Sequence, residues 1–510
     1  MEAIISADSQ NCFIFILLCL VSLLCYYLFF KKPKDVLNLP PSPPSLPIIG
    51  HLHLLLSSLS HKSFQKLSSK YGPLLHLQVF NVRLILVSSA SVAEEIFRSQ
   101  DVNVSSRDVY PVDGSILFGS SGFFTAPCGD YWKFMKKIIA TKLVRPQALE
   151  QSQGIRAEEL QRVYGNILDK ARKHESVEIG KETLKLMTNT LCRMSMGRTL
   201  SEENGEAERV RGLAKESFAL AKKIFLAAIL RRPLEKFRIP LFKKEIKSVS
   251  DRFSELLEKI LVEHKEKLYD EQQGADMLDI MLAAFEGENA EYKLTRDQVK
   301  SVFVELLFAA TDTSVQATQW TMSELINNPH ILKKLREEID SVVGETRLIQ
   351  ETDLPNLPYL LAVVKEGLRY HPPGAIMIRK FHKKSEIRGF SIPDEATLII
   401  NSYALMRDPD SWEDPNEFKP ERFLGSSRSG KEDEKEQALK YIPFGFGRRG
   451  CPGSNLAYMS LGALIGMMVQ CFDWEIKGDK VNMDETFDGM NLTMVHPLKC
   501  TPVPRIQPFI

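Results

Sequence analysis

Pro443-Phe444-Gly445-Phe446-Gly447-Arg448-Arg449-Gly450-Cys451-Pro452-Gly453 is the stretch whose reading decides the fold. Its glycines let the backbone turn tightly and approach a flat ligand closely. Two arginines beside a cysteine supply fixed positive charge, which favours the thiolate. Pro452 suits a helix start because its missing N–H costs nothing in the first turn. The apolar run that follows predicts a helix over Gly453–Gln470, which sets Cys451 at the positive end of the helix dipole. Two other readings meet the same letters. Gly445-x-Gly447-x-x-Gly450 has the form of a dinucleotide fingerprint, but that motif must follow a buried strand. Here a charged, Gly/Ser-rich stretch, Gly425–Lys440, precedes it, and no G-K-[ST] follows to make a phosphate loop. A buried cysteine is often inert packing, but packing does not require this glycine and arginine setting.

Around this loop the composition is that of an ordinary globular protein: 510 residues, 44% hydrophobic and 26% charged. A net charge of +1 and the lack of a basic block give no sign of a nucleic-acid partner. Eight cysteines are scattered without a disulfide framework or paired zinc spacing.

At the other end, residues 12–30 form an apolar run of about 19 residues, long enough to cross a bilayer core as a helix. Lys31, Lys32 and Lys34 follow it, whereas Glu2 and Asp8 precede it, so the bulk of the chain is expected on the cytosolic side. A cleaved signal peptide would start basic, have a shorter apolar core and end in small residues. None of these is present, so a retained single-pass anchor is predicted, after a short lumenal segment, 1–11. A basic, proline-rich hinge (31–50) then leads to one large domain, 51–510. Asn103-Val104-Ser105 and Asn491-Leu492-Thr493 fit the glycosylation pattern, but a cytosolic domain leaves both unmodified.

Within that domain, Leu74–Ser88 reads as a hairpin broken at Asn81. Apolar residues at helical spacing mark Arg156–Lys173, Glu206–Leu230, Lys244–Leu268, Arg296–Asn327 and Tyr359–Tyr370. Arg388–Ile400 is strand-like and Asp270–Asn289 reads as a loop. The fold class is therefore mainly α with a small β-sheet subdomain. The helix from Arg296 opens on a capping box, Thr295-Arg296-Asp297-Gln298, and stops at Asn327-Asn328-Pro329. Its length of roughly 48 Å takes it through the core. Midway it carries Phe308-Ala309-Ala310-Thr311-Asp312-Thr313-Ser314, with Ala309 and Thr313 on one face. Small residues there admit a planar group, and a hydroxyl can instead bend the helix by bonding to the i−4 carbonyl. Glu366-Gly367-Leu368-Arg369 sets an acid and a base three apart on a helix, in itself an ordinary pair.

Together these motifs resemble the cytochromes P-450, in particular plant microsomal A-type enzymes of the 71 clan and above all family 705. The cysteine loop resembles their haem-binding loop, 309–314 their acid–alcohol motif (with Ala310 where glycine is usual), Glu366–Arg369 their E-x-x-R, and Pro420-Glu421-Arg422-Phe423 their P-E-R-F. The resemblance implies the cytochrome P-450 fold and haem b (iron protoporphyrin IX) with Cys451 as axial thiolate and metal ligand. It implies proton delivery by Thr313, as hydrogen-bond donor, and Asp312, linking to solvent. Trp132, Lys136, Arg379 and Arg449 are expected to hold the propionates, Lys136 standing where arginine is usual, and Phe444 to lie near the sulfur. Glu366, Arg369 and Arg422 are expected to form a buried triad beneath the haem. Substrate contacts are expected from the segment Asp113–Gly122 and from Phe218, Ala309, Ala310, Ile376, Met377, Met494 and Val495. Ala375 replaces a common proline. Electrons are expected from NADPH through a separate NADPH–cytochrome P-450 reductase docking on Lys133, Lys137 and Arg448, and the location is the endoplasmic reticulum membrane. The substrate is expected to be a small lipophilic specialised metabolite, a triterpenoid by resemblance to family 705, with flavonoid-type phenolics as the alternative. An O2-independent haem-thiolate isomerase or dehydratase and a non-catalytic membrane scaffold are the rival classes. The Asp312-Thr313 pair argues against the first, and the ligand-type cysteine against the second.

Overall fold

A computed structural model describes residues 16–22, 38–56, 60–107, 115–117, 119, 121–200, 202, 204–235, 241–267, 276–287, 290–425, 439–488 and 491–506. The long helix spans Arg296–Asn327, and its capping box forms in both directions: Thr295 accepts from Gln298 N–H while Gln298 accepts from Thr295 N–H. Asn328 ends it, and Pro329 starts the next helix, Pro329–Val342. Its buried hydroxyls stay inside by bonding to their own helix. Thr311, Thr318 and Thr321 donate to the carbonyls of Leu307, Ser314 and Ala317 at 2.6, 2.8 and 2.7 Å. Gly367 lets the helix Pro358–Tyr370 cross closely, since a Cβ there would lie 2.2 Å from Thr321 Oγ1.

The apolar helix after the cysteine loop, Ser454–Cys471, packs with the long helix around Trp320, Met467 and Phe472 in the largest core cluster. A second cluster joins Ile179–Met196, Glu206–Glu235, Lys243–Lys267 and the N-terminal half of the long helix. The hairpin appears as Leu74–Val79 against Val82–Val87. It extends into a four-stranded sheet through Thr397–Asn401, parallel to Val82–Val87, and then Ile376–Lys380, antiparallel. The smaller sheets include the hairpin of Glu485–Asp488 with Asn491–Met494.

The stretch read as a loop, Asp270–Asn289, contains a helix, Met277–Glu286. Asp276 and Asp279 cap it reciprocally, and Met277, Leu278, Met281 and Leu282 are buried. The polar flanks masked an apolar spacing of helical period. Pro40–Gly50 lies against the hairpin: Pro41 O accepts from His76 N–H at 2.9 Å, and buried His51 reaches Pro43 O at 3.0 Å. Of the expected anchor, 16–22 is helical, with Ile16, Leu17, Leu18, Leu20 and Val21 exposed, and the rest of it lies outside the described residues. Among the described residues no helix is long and apolar enough to cross a membrane.

Candidate active site

Glycine is required at two positions of the cysteine loop. Gly445 and Gly447 adopt φ of +70° and +72°. A Cβ on Gly447 would lie 2.1 Å from Asp101 Oδ1, and one on Gly445 3.0 Å from Met377 Sδ. The loop closes where Cys451 N–H donates to Phe444 O at 2.8 Å. Phe444 meets Tyr458 edge-on at 5.1 Å, Tyr458 hydroxyl donates to Tyr441 at 3.0 Å, and Tyr441 hydroxyl to Lys365 O at 3.1 Å. The loop is thereby tied to the helix of Glu366 and Arg369.

The charge around the sulfur differs from the sequence expectation. Arg448 pairs with Asp101, and the Arg449 guanidinium donates to Ser105 O at 2.6 Å and to Ala126 O. The cation acting on the sulfur is Arg107. Burial pushes the Cys451 thiol up, while the Gly453 amide and Arg107 pull it down. A metal bound at the sulfur would deprotonate it outright.

Three guanidiniums gather beside the loop. Arg379 and Arg107 each point an Nη2 at Arg449 O, at 3.3 and 3.4 Å. Burial and mutual repulsion hold Arg107 well below its ordinary range, and burial followed by Arg449 lowers Arg379 to about 10. Arg449 lies 4.6 Å over the Trp132 ring and Lys136 4.8 Å over the same ring. Lys136 Nζ is already engaged with Arg448 O at 3.0 Å. The four expected propionate residues are therefore brought together, and Arg107, which carried no local sequence signal, joins them. Desolvated cations in mutual repulsion suit a dianionic edge, so this donor set fits the two propionates of haem. The thiol opposite fits its iron.

On the long helix Ala309 is exposed, although it belongs to a helix that is buried for most of its length. Thr313 hydroxyl donates to Ala309 O at 2.7 Å. Its proton is committed there, so it offers a neighbour a lone pair, where the sequence led us to expect a donor. Asp312 takes a hydrogen bond from Gln316 at 3.1 Å and another from Asn491, a contact no spacing announces. Phe218 packs on Phe308 at 4.2 Å, and Ala310 packs against the second core cluster. One turn before Ala309, buried Glu305 accepts from Phe124 N–H at 2.8 Å. Burial raises its carboxyl to about 7, against the pull of the Phe124 and Phe123 amides and Arg107.

Met377 and Arg379 share one face of their strand above Gly445, and Ile376 sits on the other, toward the hairpin. Met494 ends the strand that begins at Asn491, and Val495 follows it. Met494 is buried against Ser323, ten residues beyond Thr313, and Val495 is exposed after the last strand of its hairpin. Their register on that hairpin sends Asn491, and neither of them, to the acid. Of Asp113–Gly122, only 115–117, 119 and 121–122 lie among the described residues, and Gly122 abuts Glu305.

Glu366 and Arg369 are fully buried and joined by two bonds of 2.7 and 2.8 Å. Arg422 Nε reaches Glu366 at 3.0 Å. The remaining Arg369 donors go to the carbonyls of Met406, Pro415 and Glu417. Lys133, Lys137 and Arg448 are exposed and ion-paired with Asp130, Glu291 and Asp101.

The family profile for cytochrome P450 matches residues 40–500. Cytochrome P450 705A22 of Arabidopsis thaliana is 66% identical, over 100% of this chain and 99% of its own. Two Glycine max relatives stand further off. The 3,9-dihydroxypterocarpan 6A-monooxygenase is 37% identical over 97% of this chain and 98% of its own. The beta-amyrin 24-hydroxylase is 36% identical over 98% and 99%. A zebra fish cytochrome P450 solved with abiraterone shares the fold at a TM-score of 0.73 and 22% identity, covering 88% of this chain and 100% of that one. The chain belongs to the cytochrome P450 family: a monooxygenase-class oxidoreductase with a haem cofactor on a cysteine thiolate and a reductase as its electron source.

Proposed function

We propose that this protein is a membrane-anchored monooxygenase of the plant endoplasmic reticulum that oxidises a triterpenoid. The observation that carries the substrate class is the full-length relationship to family 705 and to a beta-amyrin hydroxylase. It agrees with the Phe218–Phe308 ring pair and the small exposed Ala309 on the stretch of the long helix that carries the acid and hydroxyl. The exposed apolar helix 16–22 and the lysines after residue 30 support the anchor and a cytosolic domain 51–510.

In this reading Cys451, held by Phe444 O and the Gly453 amide, would be the thiolate that binds the haem iron. Trp132, Lys136, Arg379, Arg449 and Arg107 hold the propionates. Bound haem supplies the oxygen activation, which thiolate ligation favours. Thr313, whose own O–H stays donated to Ala309 O, would hold a proton donor in the pocket by accepting its hydrogen bond. Asp312, oriented by Gln316 and Asn491, is the acid that replenishes that proton. Glu366, Arg369 and Arg422 fix the support under the loop. Lys133, Lys137 and Arg448 form the docking face, where exchange of their intramolecular partners for reductase carboxylates leaves the charges paired. The pterocarpan relative favours a second reading, oxidation of a flavonoid-type phenolic.

The test is co-expression with a plant reductase and a panel of triterpene alcohols and flavonoids, read by mass spectrometry with and without NADPH. A triterpene product with one added oxygen or two fewer hydrogens, formed only with NADPH and O2, is expected. A phenolic product selects the second reading. Turnover without NADPH and O2 replaces both with isomerase or dehydratase chemistry.

A further inference from the structure

Glu305 is a buried acid on the long helix, 8% exposed, which no step of the proton supply uses. It is held by the segment that leads into the helix Asp130–Ile139. Phe124 N–H donates to its Oε2 at 2.8 Å. Its Oε1 abuts Gly122, where a Cβ would lie 2.1 Å away, and makes no hydrogen bond among the described residues. The segment is itself tied down. Thr125 hydroxyl donates to Gly119 O at 2.9 Å, and Tyr131 hydroxyl to Ser121 O at 2.8 Å.

The same segment meets the guanidiniums of the propionate cradle. Arg107 lies 3.8 Å over the Phe124 ring, and Arg449 donates to Ala126 O. Arg107 and Glu305 also attract each other: Arg107 favours the carboxylate, and Glu305 favours the charged guanidinium. Arg379 and Arg449 repel Arg107, whereas Cys451 and Glu305 draw it. Facing Glu305 are the Phe123 and Phe124 amides, Arg107, and Tyr131, whose phenol it helps to raise. Tyr292 lies behind Tyr131 at 5.7 Å.

A buried carboxylate with an unmet oxygen is costly, so burial sets this acid near neutrality, at about 7. Arg379, at about 10, keeps its proton across the same range. We propose that Glu305 is a positioning residue for the haem: through Phe124 and Arg107 it sets how firmly the cradle holds the propionates. When Glu305 is neutral, Arg107 is left to the propionates. When it ionises, Arg107 is shared with a third carboxylate, and the propionates gain a like-charged neighbour in a region of low dielectric. Only the O–H bond of Glu305 is made or broken. The inference rests on the reading of Arg107 as a propionate donor.

The test is the rate at which the purified, haem-loaded full chain gives up haem to excess apomyoglobin between about pH 6 and pH 8. Wild type, Glu305→Gln and Arg107→Ala are compared, using only samples with an intact ferrous–CO band. A pull of one pKa unit between two groups is a tenfold change in an equilibrium, so wild type is expected to lose haem roughly 3- to 10-fold faster at the upper end. E305Q keeps an acceptor for Phe124 N–H but carries no charge, so its rate is expected to stay near the wild-type value at the lower end. R107A is expected to lose haem quickly with no such slope, because Glu305 acts through Arg107. Should R107A fail to load haem, Arg107→Gln takes its place with the same expectations. A second readout is the reduction potential of the bound haem, which is expected to fall more steeply with pH in wild type than in E305Q. A flat wild-type rate overturns the proposal without any variant. Equal slopes in wild type and E305Q also overturn it, and leave Arg107 in the cradle if R107A loses haem quickly. A slope that survives in R107A overturns the route through Phe124 and Arg107. Wild-type haem retention in R107A removes Arg107 from the cradle, and the proposal with it.

Discussion

Arg107 and Lys136 set the sharpest contrast at the scale of single residues. Lys136 spends its donors on Arg448 O, whereas Arg107 is desolvated among Arg379, Arg449 and Cys451. A lysine lacks the bidentate fork. R107A is therefore expected to lose haem on dilution far more readily than K136A, measured as haem retained per protein after gel filtration. Equal retention would remove Arg107 from the cradle. Glu305 gives a pH prediction. Its folded carboxyl is raised to about 7 from the ordinary 4.5, so the fold disfavours its ionised form. The associated stability is complete below the unfolded value and is lost as pH rises through about 7, a loss of roughly 3 kcal/mol at most. Thermal midpoints of wild type and E305Q should diverge between about pH 5 and pH 8, the wild type falling relative to the variant. Parallel curves would mean that the folded carboxyl titrates at its unfolded value.

Among elements, the helix Pro358–Tyr370 depends on its buried charges. Glu366 accepts from Arg369, from Arg422 and from Lys419 N–H, and Arg369 caps three carbonyls of the segment that follows. Removing one partner leaves a buried charge stranded at a cost of about 3–5 kcal/mol. R369A is expected to yield little ferrous–CO signal and an aggregated chain, while R422A, which removes the arm at the edge, should retain part of it. Near-normal haem loading in R369A would show that the surrounding carbonyls find water instead. The helix Met277–Glu286 carries the opposite lesson: its capping box and apolar spacing were present in the letters, and the polar residues on both sides obscured them.

For the whole molecule, the catalytic domain is expected to fold without the anchor. Pro41 and His51 already dock on the sheet, so the folded unit begins before the long core helices. Removal of residues 1–37 should move the chain from the membrane pellet to the soluble fraction while the ferrous–CO band persists; retention in the pellet would reveal a second membrane contact. By itself the sequence determined the cysteine loop, the limits and caps of the long helix, the Glu366–Arg369 pair and the hairpin. Each of these is decided within a few residues by φ preference, helical period or hydrogen bonds to near neighbours. Only the tertiary structure decided that Arg107 joins Arg449 from 342 residues away, that Asn491 holds Asp312 across 179, and that Met494 belongs to the core. Contacts at such separations are set by how helices and strands pack, and packing leaves no periodic trace in the chain because any side chain of suitable shape and charge meets it.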